Sequence, residues 1–454
     1  MMKSRRMIVD MLGQWDTRDV YADIIFNHAV SKHHLSERDR ALTQEIFFGV
    51  LRWRGKLDWI LQQLFVGKWE KSPRSVKNIL FVGLYQLMFL DRIPAYAVIN
   101  EAVTEAKQRI GKYWSGKINA ILRNWVNGKS RVIFPDLAES PVDAVAVQYS
   151  HPRWLVQRWI KRWGVEQTVK LCQANNERPG VSLRVNCLKK TPTELYNLLA
   201  NIEVEIKPSN DNPRFFQSDQ ISGLAELEAF QKGYFSIQDE SAGLPCQLLN
   251  PQPGEVVVDL CSAPGGKTTY LAELTENRST IVSVDKNYNR LLLLRENLHR
   301  LKLNAGRLVC CDGRHFSAQK VDKVLVDAPC SGLGVLSKRA DLRWKRSEST
   351  IKQLAELQLA LLENAARLLH PCGVIVYSTC TIEPDENEKI VQQFLERHPD
   401  YNVESANKFV SEKFVNQQGY VYTYPHRHQM DGSFAARLKK NNNLLNNQSS
   451  GLKT

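Results

Sequence analysis

The sequence has no uninterrupted apolar run of the ~18 residues that a membrane-spanning helix needs. It also shows no signal-peptide pattern, since Met1-Met2-Lys3-Ser4-Arg5-Arg6 leads into an amphipathic segment. We therefore expect a cytoplasmic protein that has no membrane partner.

Cysteine is absent before Cys172, and the nine cysteines of the chain show neither the paired spacing of a zinc site nor that of a small disulfide scaffold. The sequence therefore predicts reduced thiols and no bound metal.

Acidic residues are too few to balance the basic ones, and the net charge is +13. Residues 1–175 hold 27 Lys and Arg against 16 Asp and Glu, a net charge of +11. Such asymmetry indicates a polyanion bound by this part of the chain. The alternative is a basic face that only keeps the protein in solution.

The chain of 454 residues is too long for one ordinary domain, and its 43% hydrophobic content is enough for buried cores. From Val20 to about Leu122, apolar residues recur near a 3.6-residue period, which predicts an all-helical domain of five to seven helices. Residues 127–150 contain Gly128, Pro135 and Pro141 among small polar residues, a composition typical of a linker.

Two patterns follow the predicted linker. In residues 151–163 three tryptophans, Trp154, Trp159 and Trp163, alternate with basic residues, which suits either stacking on RNA bases or a helical core stripe. Residues 181–186 then alternate like a half-buried strand, and Thr191-Pro192 resembles a helix start. A small α/β subdomain is expected here.

The rest of the chain alternates between strand-like and helical patterns, which predicts a parallel, doubly wound sheet. The strand-like runs are residues 256–260, 281–284, 307–310, 323–327 and 373–378, and the helical patterns are residues 267–275, 287–302 and 350–369.

Cysteines follow three of these strand-like runs. Cys261 opens a loop that ends in Gly265-Gly266-Lys267-Thr268, Cys330 follows Asp327-Ala328-Pro329, and Cys380 ends the run Tyr377-Ser378-Thr379. Ligands of open α/β sheets bind beyond the carboxyl ends of the strands, so both later cysteines are expected to face one crevice. A buried, inert thiol is the alternative for each.

The first loop also has nucleoside-binding features. Glycines after a strand let backbone N–H groups approach a ligand at a helix start, and Asp285, 20 residues after Gly265, has the spacing of an acid that contacts ribose hydroxyls. A P-loop is a poor alternative, because it needs glycine five positions before Gly266, where Cys261 stands.

Three motifs in this order, Asp-Leu-Cys-Ser-Ala-Pro-Gly-Gly-Lys-Thr, Asp-Ala-Pro-Cys-Ser-Gly and Ser-Thr-Cys-Thr, resemble those of the RNA 5-methylcytosine methyltransferases of the Sun/Fmu type, which modify bacterial 16S ribosomal RNA. Residues 91–103 and 118–124 resemble the NusB-type RNA-binding domain. The resemblance implies a multidomain chain: an all-α NusB-like domain over residues 1–140, a linker and small ferredoxin-like α/β subdomain over 141–238, an α/β Rossmann-like class I methyltransferase domain over 239–440, and a disordered tail over 441–454.

The resemblance also implies a cofactor, S-adenosyl-L-methionine, and a substrate, 16S ribosomal RNA, at its cytosine-967 site. A monomer is expected. The residues implied in cofactor binding are Cys261, Ser262, Ala263, Pro264, Gly265, Gly266, Lys267, Asp285, Asp312 and Asp327. The residues implied in catalysis are Cys380, Cys330, Asp327 and Lys267. The alternatives are a non-catalytic RNA-binding or antitermination factor, and a cytosine methyltransferase that acts on another RNA.

Carbon 5 of cytosine is too electron-poor to accept a methyl group directly, so a nucleophile must first add at carbon 6, and a thiolate suits this step. An acid beside the ring nitrogen, Asp327, would assist the addition. Spacing does not decide which cysteine attacks. The resemblance assigns attack to Cys380 and enzyme release to Cys330.

One more segment has an open interpretation. Residues 337–346 form a basic stretch with one aromatic residue, Trp344, which suits either a grip on the phosphates that flank a flipped cytosine or a solvated loop.

Overall fold

The computed structural model describes residues 2–33, 35–128, 131–219, 223–304 and 306–441. By contacts the chain divides into two compact units, Met1–Glu177 with Arg339–Lys345, and Arg178–Lys338 with Arg346–Thr454. Of the predicted disordered tail, residues 442–454 lie outside the described residues.

The first unit is helical. Its helices, numbered along the chain, are α1 (Met2–Thr17), α2 (Ala22–His33), α3 (Glu37–Leu64), α4 (Arg74–Phe89), α5 (Ala95–Ile110), α6 (Lys112–Val126), α7 (Pro141–Gln148) and α8 (Arg153–Ala174). Ser36 caps α3 by accepting a hydrogen bond from the amide of Asp39, and Pro73 and Pro94 directly precede α4 and α5. The predicted period is confirmed, because it places Ile46, Phe47, Val50 and Leu51 in the core.

Helix α7 lies in the segment predicted to be a linker, and for these residues that prediction is wrong. Pro141 stands in the first turn of α7, where a proline is tolerated because the first N–H groups of a helix have no partner within the helix. Ala144 and Val145 are buried. A proline at a helix start and a proline in a linker look alike in sequence. Here the buried residues that follow Pro141 show that it starts a packed helix.

The tryptophan segment forms α8. Trp159 is buried with 1% of its surface exposed, and Trp154 and Trp163 are half-buried. The helical core stripe is therefore confirmed for Trp159.

The segment Arg339–Lys345 belongs to the helical unit, and its basic residues bind protein groups there. Arg343 is buried and donates to the carbonyls of Ser150, at 3.0 Å, and Asn175, at 3.1 Å. Burial lowers the pKa of Arg343 to about 9. Trp344 Nε1 donates to the carbonyl of Leu51 at 2.7 Å. The prediction that this segment grips RNA phosphates is wrong for Arg343, since its guanidinium is fully enclosed.

The second unit begins with a small antiparallel sheet in the order β2-β3-β1-β4. Its elements are β1 (Val181–Val185), α9 (Pro192–Ala200), β2 (Lys207–Pro208), β3 (Phe215–Ser218), α10 (Glu228–Gln231) and β4 (Phe235–Ile237). Thr191 and Glu194 form a capping box at the start of α9, where Thr191-Pro192 predicts a helix start. The core contains Leu183, Val185 and Phe216. The predicted α/β subdomain is confirmed.

The remaining elements are the strands of an eight-stranded sheet, the helices of the same unit, and one short helix of the first unit. They are α11 (Glu240–Leu249), β5 (Val256–Leu260), α12 (Gly266–Leu274), β6 (Thr280–Asp285), α13 (Tyr288–Leu301), β7 (Arg307–Cys310), β8 (Val321–Asp327), α14 (Leu342–Lys345, part of the first unit), α15 (Glu348–Leu368), β9 (Leu369–Thr379), α16 (Glu388–Arg397), β10 (Tyr401–Glu404), β11 (Val421–Thr423), α17 (Pro425–His428) and β12 (Ser433–Lys440).

The strand order is β10-β12-β9-β8-β5-β6-β7, with β11 paired to β12. Strands β9, β8, β5, β6 and β7 are parallel to one another, and β12 is antiparallel to β9. The parallel sheet predicted from alternation is confirmed for these five strands. The antiparallel strands make the sheet a mixed one.

No helix in the described ranges combines the length and apolar character needed to cross a membrane. Nor do the described residues bring together three or more His, Cys, Asp or Glu side chains in a group that could hold a metal ion.

Candidate active site at the carboxyl edge of the large sheet

The five parallel strands end at one edge of the sheet, and this places the predicted site residues in order along it. From β5 the chain runs to β6 and β7 on one side, whereas β8 and β9 lie on the other side. The boundary between β5 and β8 is therefore a topological switch point, where open α/β sheets form their binding crevice. The loop after β5 lies on one side of this boundary, and Asp327 and both cysteines follow β8 and β9 on the other.

The loop after β5 makes a tight turn from strand to helix. The amide and hydroxyl of Ser262 both donate to the carbonyl of Val284 on β6. Gly265 has φ +107°, and a Cβ there would overlap Leu294 of α13. Only glycine tolerates both conditions, so the predicted glycine brings the backbone close to α13. Gly266 opens α12.

Asp285 ends β6 beside this loop and is 5% exposed. One carboxylate oxygen accepts from the amide of Ala263 at 3.1 Å, and the other accepts from the amide of Asn287 at 2.8 Å. A carboxylate has about four acceptor positions, so two remain for hydroxyl groups. The structure thus brings Asp285 to the glycine loop, as the spacing predicts.

Asp312 follows β7, farther along the same edge. Its carboxylate forms an ion pair with Arg314 at 2.6 Å, and the hydrogen bonds from Arg314 lower the pKa of Asp312 to about 2. Its carboxylate therefore binds the neighbouring arginine and is ionised at neutral pH.

Asp259, in β5, lies beneath the loop and is fully buried. Thr268 donates to one of its oxygens at 2.5 Å. Burial raises the pKa of Asp259 to about 7, and the nearby charge of Asp327 acts in the same direction. Sequence analysis did not single out this residue, because an acid inside a strand-like run resembles the ordinary end of a strand.

Asp327 ends β8 and links three elements. One oxygen accepts from Lys267 Nζ of α12 at 2.8 Å, and the other accepts from the hydroxyl of Ser378, its register partner on β9, at 3.0 Å. Burial opposes the charge of Lys267, but the contact with Asp327 outweighs this effect, so the pKa of Lys267 is raised. At neutral pH Lys267 is therefore an ammonium, and it forms an ion pair with Asp327. Sequence analysis missed Ser378, although the two-residue period of a strand places it on the same face as Cys380.

The two cysteines meet beside this pair. Sγ of Cys330 lies 3.2 Å from Sγ of Cys380, and the amide of Cys380 donates to Sγ of Cys330 at 3.3 Å. Cys380 is exposed and Cys330 is half-buried. The structure thus brings into contact the two thiols that are predicted to face one crevice.

The contact makes the two thiols unlike each other. A hydrogen bond from Cys330 lowers the pKa of Cys380, and the charge of Lys267 adds to this effect against the opposing effects of burial and Asp327. The same contact and burial raise the pKa of Cys330 well above its usual range. When one of the two thiols loses its proton, the negative charge is therefore favoured on Cys380, and Cys330 stays the thiol.

The loop after Cys330 is joined to Cys380 through backbone hydrogen bonds. The amide of Gly334 donates to the carbonyl of Cys380 at 3.1 Å, and the carbonyl of Gly334 accepts from the amide of Gly432 at 2.8 Å. A Cβ at Gly334 would overlap the backbone of Gly432. Glycine is therefore required where three loops approach one another.

Comparison with known families covers most of the chain. The profile described as 16S rRNA methyltransferase RsmB/F matches residues 246–439. The NusB family profile matches residues 2–127, and the profile of the ferredoxin-like domain of RsmF/B-like methyltransferases matches residues 151–217.

Individual relatives agree with these profiles. A probable ribosomal RNA small subunit methyltransferase B from Synechocystis sp. is 35% identical over 447 residues, which cover 97% of this chain and 100% of the relative. The crystal structure titled PH0851 is 27% identical, has a TM-score of 0.82, and is matched over 97% of this chain and 99% of that one. The structure of NSun6 from Pyrococcus horikoshii with SFG is 25% identical, has a TM-score of 0.58, and is matched over 64% of this chain and 98% of that one.

Proposed function

This chain belongs to the family of the ribosomal RNA small subunit methyltransferase B proteins, and from that premise we propose that it methylates carbon 5 of one cytosine in 16S ribosomal RNA. The observation that carries the proposal is the contact between two cysteine thiols, 3.2 Å apart, beside the Lys267–Asp327 ion pair. The cytosine-967 site is the target that the resemblance implies. The cytoplasm as location and a monomeric state stay predictions.

Cys380 is the proposed nucleophile. It is exposed, so an extruded base can reach its sulfur, and its lowered pKa favours the thiolate that adds to carbon 6. The S–C bond that forms moves electron density to carbon 5, which can then accept a methyl group.

Cys330 is proposed to act in release. Its raised pKa favours the thiol while Cys380 is anionic, and once Cys380 is bonded to carbon the hydrogen bond between the two sulfurs is lost. Cys330 can then give its proton to solvent and, as a base, take the proton from carbon 5. The bond between Cys380 and carbon 6 then breaks, and Cys380 leaves as a thiolate. The contact between the two thiols thus lets Cys330 be a hydrogen-bond donor during attack and a base during release.

Asp327 and Lys267 are proposed to hold the base. As a carboxylate paired with Lys267, Asp327 is a hydrogen-bond acceptor. It would accept a hydrogen bond from the ring N–H that forms when the ring nitrogen takes up a proton from solvent during the addition. Ser378 and Lys267 fix the direction of the carboxylate.

The residues of the glycine loop fit S-adenosylmethionine, which supplies the methyl group when bound. The backbone from Cys261 to Lys267 would line the methionine and ribose portions, and the two free acceptor positions on Asp285 would receive ribose hydroxyls. Asp312 is proposed near the adenine.

The helical unit is proposed to bind the RNA through its charge. Its net charge of +11 over residues 1–175 favours phosphates, and the NusB family profile covers residues 2–127.

The test is transfer of a radiolabelled methyl group from S-adenosylmethionine to small-subunit ribosomal RNA, with large-subunit RNA and transfer RNA in parallel. We expect incorporation into small-subunit RNA only, its loss in Cys380→Ala, and full incorporation by Cys372→Ala. The last is a matched control that removes an exposed cysteine of β9, the strand that Cys380 follows. Mapping the methylated base then identifies atom and site. Incorporation into transfer RNA alone would favour another RNA as substrate, and no incorporation into any RNA would favour the non-catalytic alternative.

A further inference from the structure

Two buried polar residues, Glu386 and Asn387, lie side by side behind the pair of cysteines. They connect a short 3-10 turn, Pro384–Glu386, to helix α16, and both are 0% exposed. Burial of a carboxyl and a carboxamide costs free energy unless hydrogen bonds compensate, so their partners show what they hold in place.

Glu386 holds the loop of Cys330 from both sides. Its Oε1 accepts from the amide of Ser331 at 2.8 Å and from Nε2 of Gln358 at 3.0 Å. The same Nε2 also donates to the carbonyl of Pro329 at 2.9 Å. The residues before and after Cys330 are thus fixed to one carboxylate oxygen, directly or through Gln358.

Asn387 holds the loop of Cys380 in the same manner. Its Oδ1 accepts from the hydroxyl of Thr379 at 2.6 Å, and its Nδ2 donates to the carbonyl of Thr381 at 3.0 Å. The residues before and after Cys380 are both bound by this one side chain.

The two loops are also tied to each other. The hydroxyls of Ser331 and Thr381 lie 2.8 Å apart, and Tyr377 OH donates to the backbone carbonyl of Glu386 at 2.6 Å. Since one peptide bond joins Glu386 to Asn387, a shift of one loop must be transmitted to the other.

We propose that Glu386 and Asn387 are positioning residues that together fix the separation of the Cys330 and Cys380 thiols. The importance of this separation for catalysis rests on the proposed function, in which a proton must pass from carbon 5 to Cys330 while Cys380 is bonded to carbon 6. A misplacement of about 1 Å can reduce a reaction rate about 100-fold.

The separation can be measured without RNA or cofactor by titration with phenylarsine oxide, a reagent that bridges two neighbouring thiols. Two S–As bonds form, the oxygen leaves as water with both thiol protons, and no oxidation occurs. Cys310 and Cys311 are adjacent in sequence and would compete, so all variants carry Cys310→Ser and Cys311→Ser. We expect one tightly bound arsenical per chain, and Cys330→Ala in this background should lose it.

Variants at Glu386 and Asn387 distinguish the effect of the lost hydrogen bonds from that of a changed side-chain size. Glu386→Gln keeps an acceptor oxygen for Ser331 and Gln358 and should retain bridging, whereas Glu386→Leu and Asn387→Leu should weaken it about 10- to 100-fold. Asn387→Asp keeps the acceptor for Thr379 but loses the donor to Thr381, so an intermediate loss is expected, and this variant serves if the leucine variants do not fold.

Asn364→Leu is the matched control. Asn364 is a buried asparagine of α15 whose Nδ2 donates to the carbonyls of Gly313 and Phe316, at 2.8 Å and 2.9 Å, away from either cysteine loop. Its substitution should lower the melting temperature as Asn387→Leu does, yet leave bridging unchanged.

Retained bridging in folded Glu386→Leu and Asn387→Leu variants, or equal loss in Asn364→Leu, would overturn the proposal. Because the assay contains neither RNA nor methyl donor, it is independent of the proposed function. A wild-type protein that bridges the arsenical but transfers no methyl group would refute the proposed function and leave the positioning role intact.

Discussion

Replacing Cys330 by alanine tests the division of labour between the thiols, because it affects both attack and release. The substitution removes the S–H that hydrogen-bonds to Cys380 at 3.2 Å, so the pKa of Cys380 should rise and its thiolate population should fall. It also removes the group proposed to accept the proton from carbon 5. The observed result depends on whether the substitution slows attack by Cys380 or release of the RNA more strongly.

The substitution slows the attack by Cys380 only slightly. Hydrogen bonds to charged groups contribute about 1.5–3 kcal/mol, and the lower end applies because a thiol is a weak donor and Cys380 is exposed. At about 1.36 kcal/mol per factor of ten, the thiolate population falls about 10-fold. A more basic thiolate is also more nucleophilic, which recovers about half of the loss on a logarithmic scale, so attack slows roughly 3-fold.

The loss in release is larger, since a positioned acid or base contributes about 100- to 10,000-fold to a proton transfer. Cys330→Ala should therefore accumulate RNA bonded to Cys380, visible as a protein band of retarded mobility on denaturing electrophoresis with RNA and S-adenosylmethionine. Cys380→Ala should give no such band, and Cys372→Ala should behave as wild type. A stable adduct from Cys380→Ala, with none from Cys330→Ala, would reverse the assignment.

Four further outcomes are expected. Lys267→Met should slow alkylation of Cys380 at neutral pH, because a charge that lowers the pKa of Cys380 is lost, and unchanged alkylation would contradict this role. The same substitution should cost about 1 kcal/mol of stability, since the ion pair with Asp327 is partly exposed. Asp285→Asn should weaken binding of S-adenosylhomocysteine about 10-fold by calorimetry, and equal affinity would exclude a ribose contact. Asp259 has a pKa of about 7 in the folded chain against the ordinary aspartate value of 3.8, so the folded state binds more protons than the unfolded state. The stability of the protein should therefore fall as pH rises from about 4 to about 7. In thermal unfolding, Asp259→Asn should be more stable than wild type at pH 8, by on the order of 2–4 kcal/mol, and as stable as wild type at pH 4. RNA affinity of the full chain should fall steeply with salt, and salt-insensitive binding would argue against an electrostatic interface.

The salt experiment needs the full chain because of residues 339–345. Arg343 and Trp344 donate to carbonyls of Ser150, Asn175 and Leu51 within the helical unit, so a fragment of residues 1–175 would lack these hydrogen bonds. The fragment's core at Trp344 would also be incomplete. Weak binding by such a fragment could then reflect lost stability instead of lost charge.

The local elements and the order of the motifs can be predicted from the sequence alone. The 3.6-residue period of the helical unit, the capping residues Thr191 and Glu194, and the apolar runs of β5 to β9 depend on neighbours a few positions away, so they are visible in one dimension. The sequence also determined that thiols and acids stand at strand ends, and parallel strands bring those ends to one edge.

Contacts between residues far apart in the chain form only when the chain folds. The contact of Cys330 with Cys380 spans 50 positions, and its distance is set by the register of β8 and β9 together with buried side chains from the turn before α16. Burial likewise decided that Arg343 binds carbonyls of the helical unit and that Pro141 starts a helix. An arginine or a proline looks the same in the sequence whether it is buried or exposed. Only the surrounding packing determines whether the polar groups of such a segment bind water, RNA or protein.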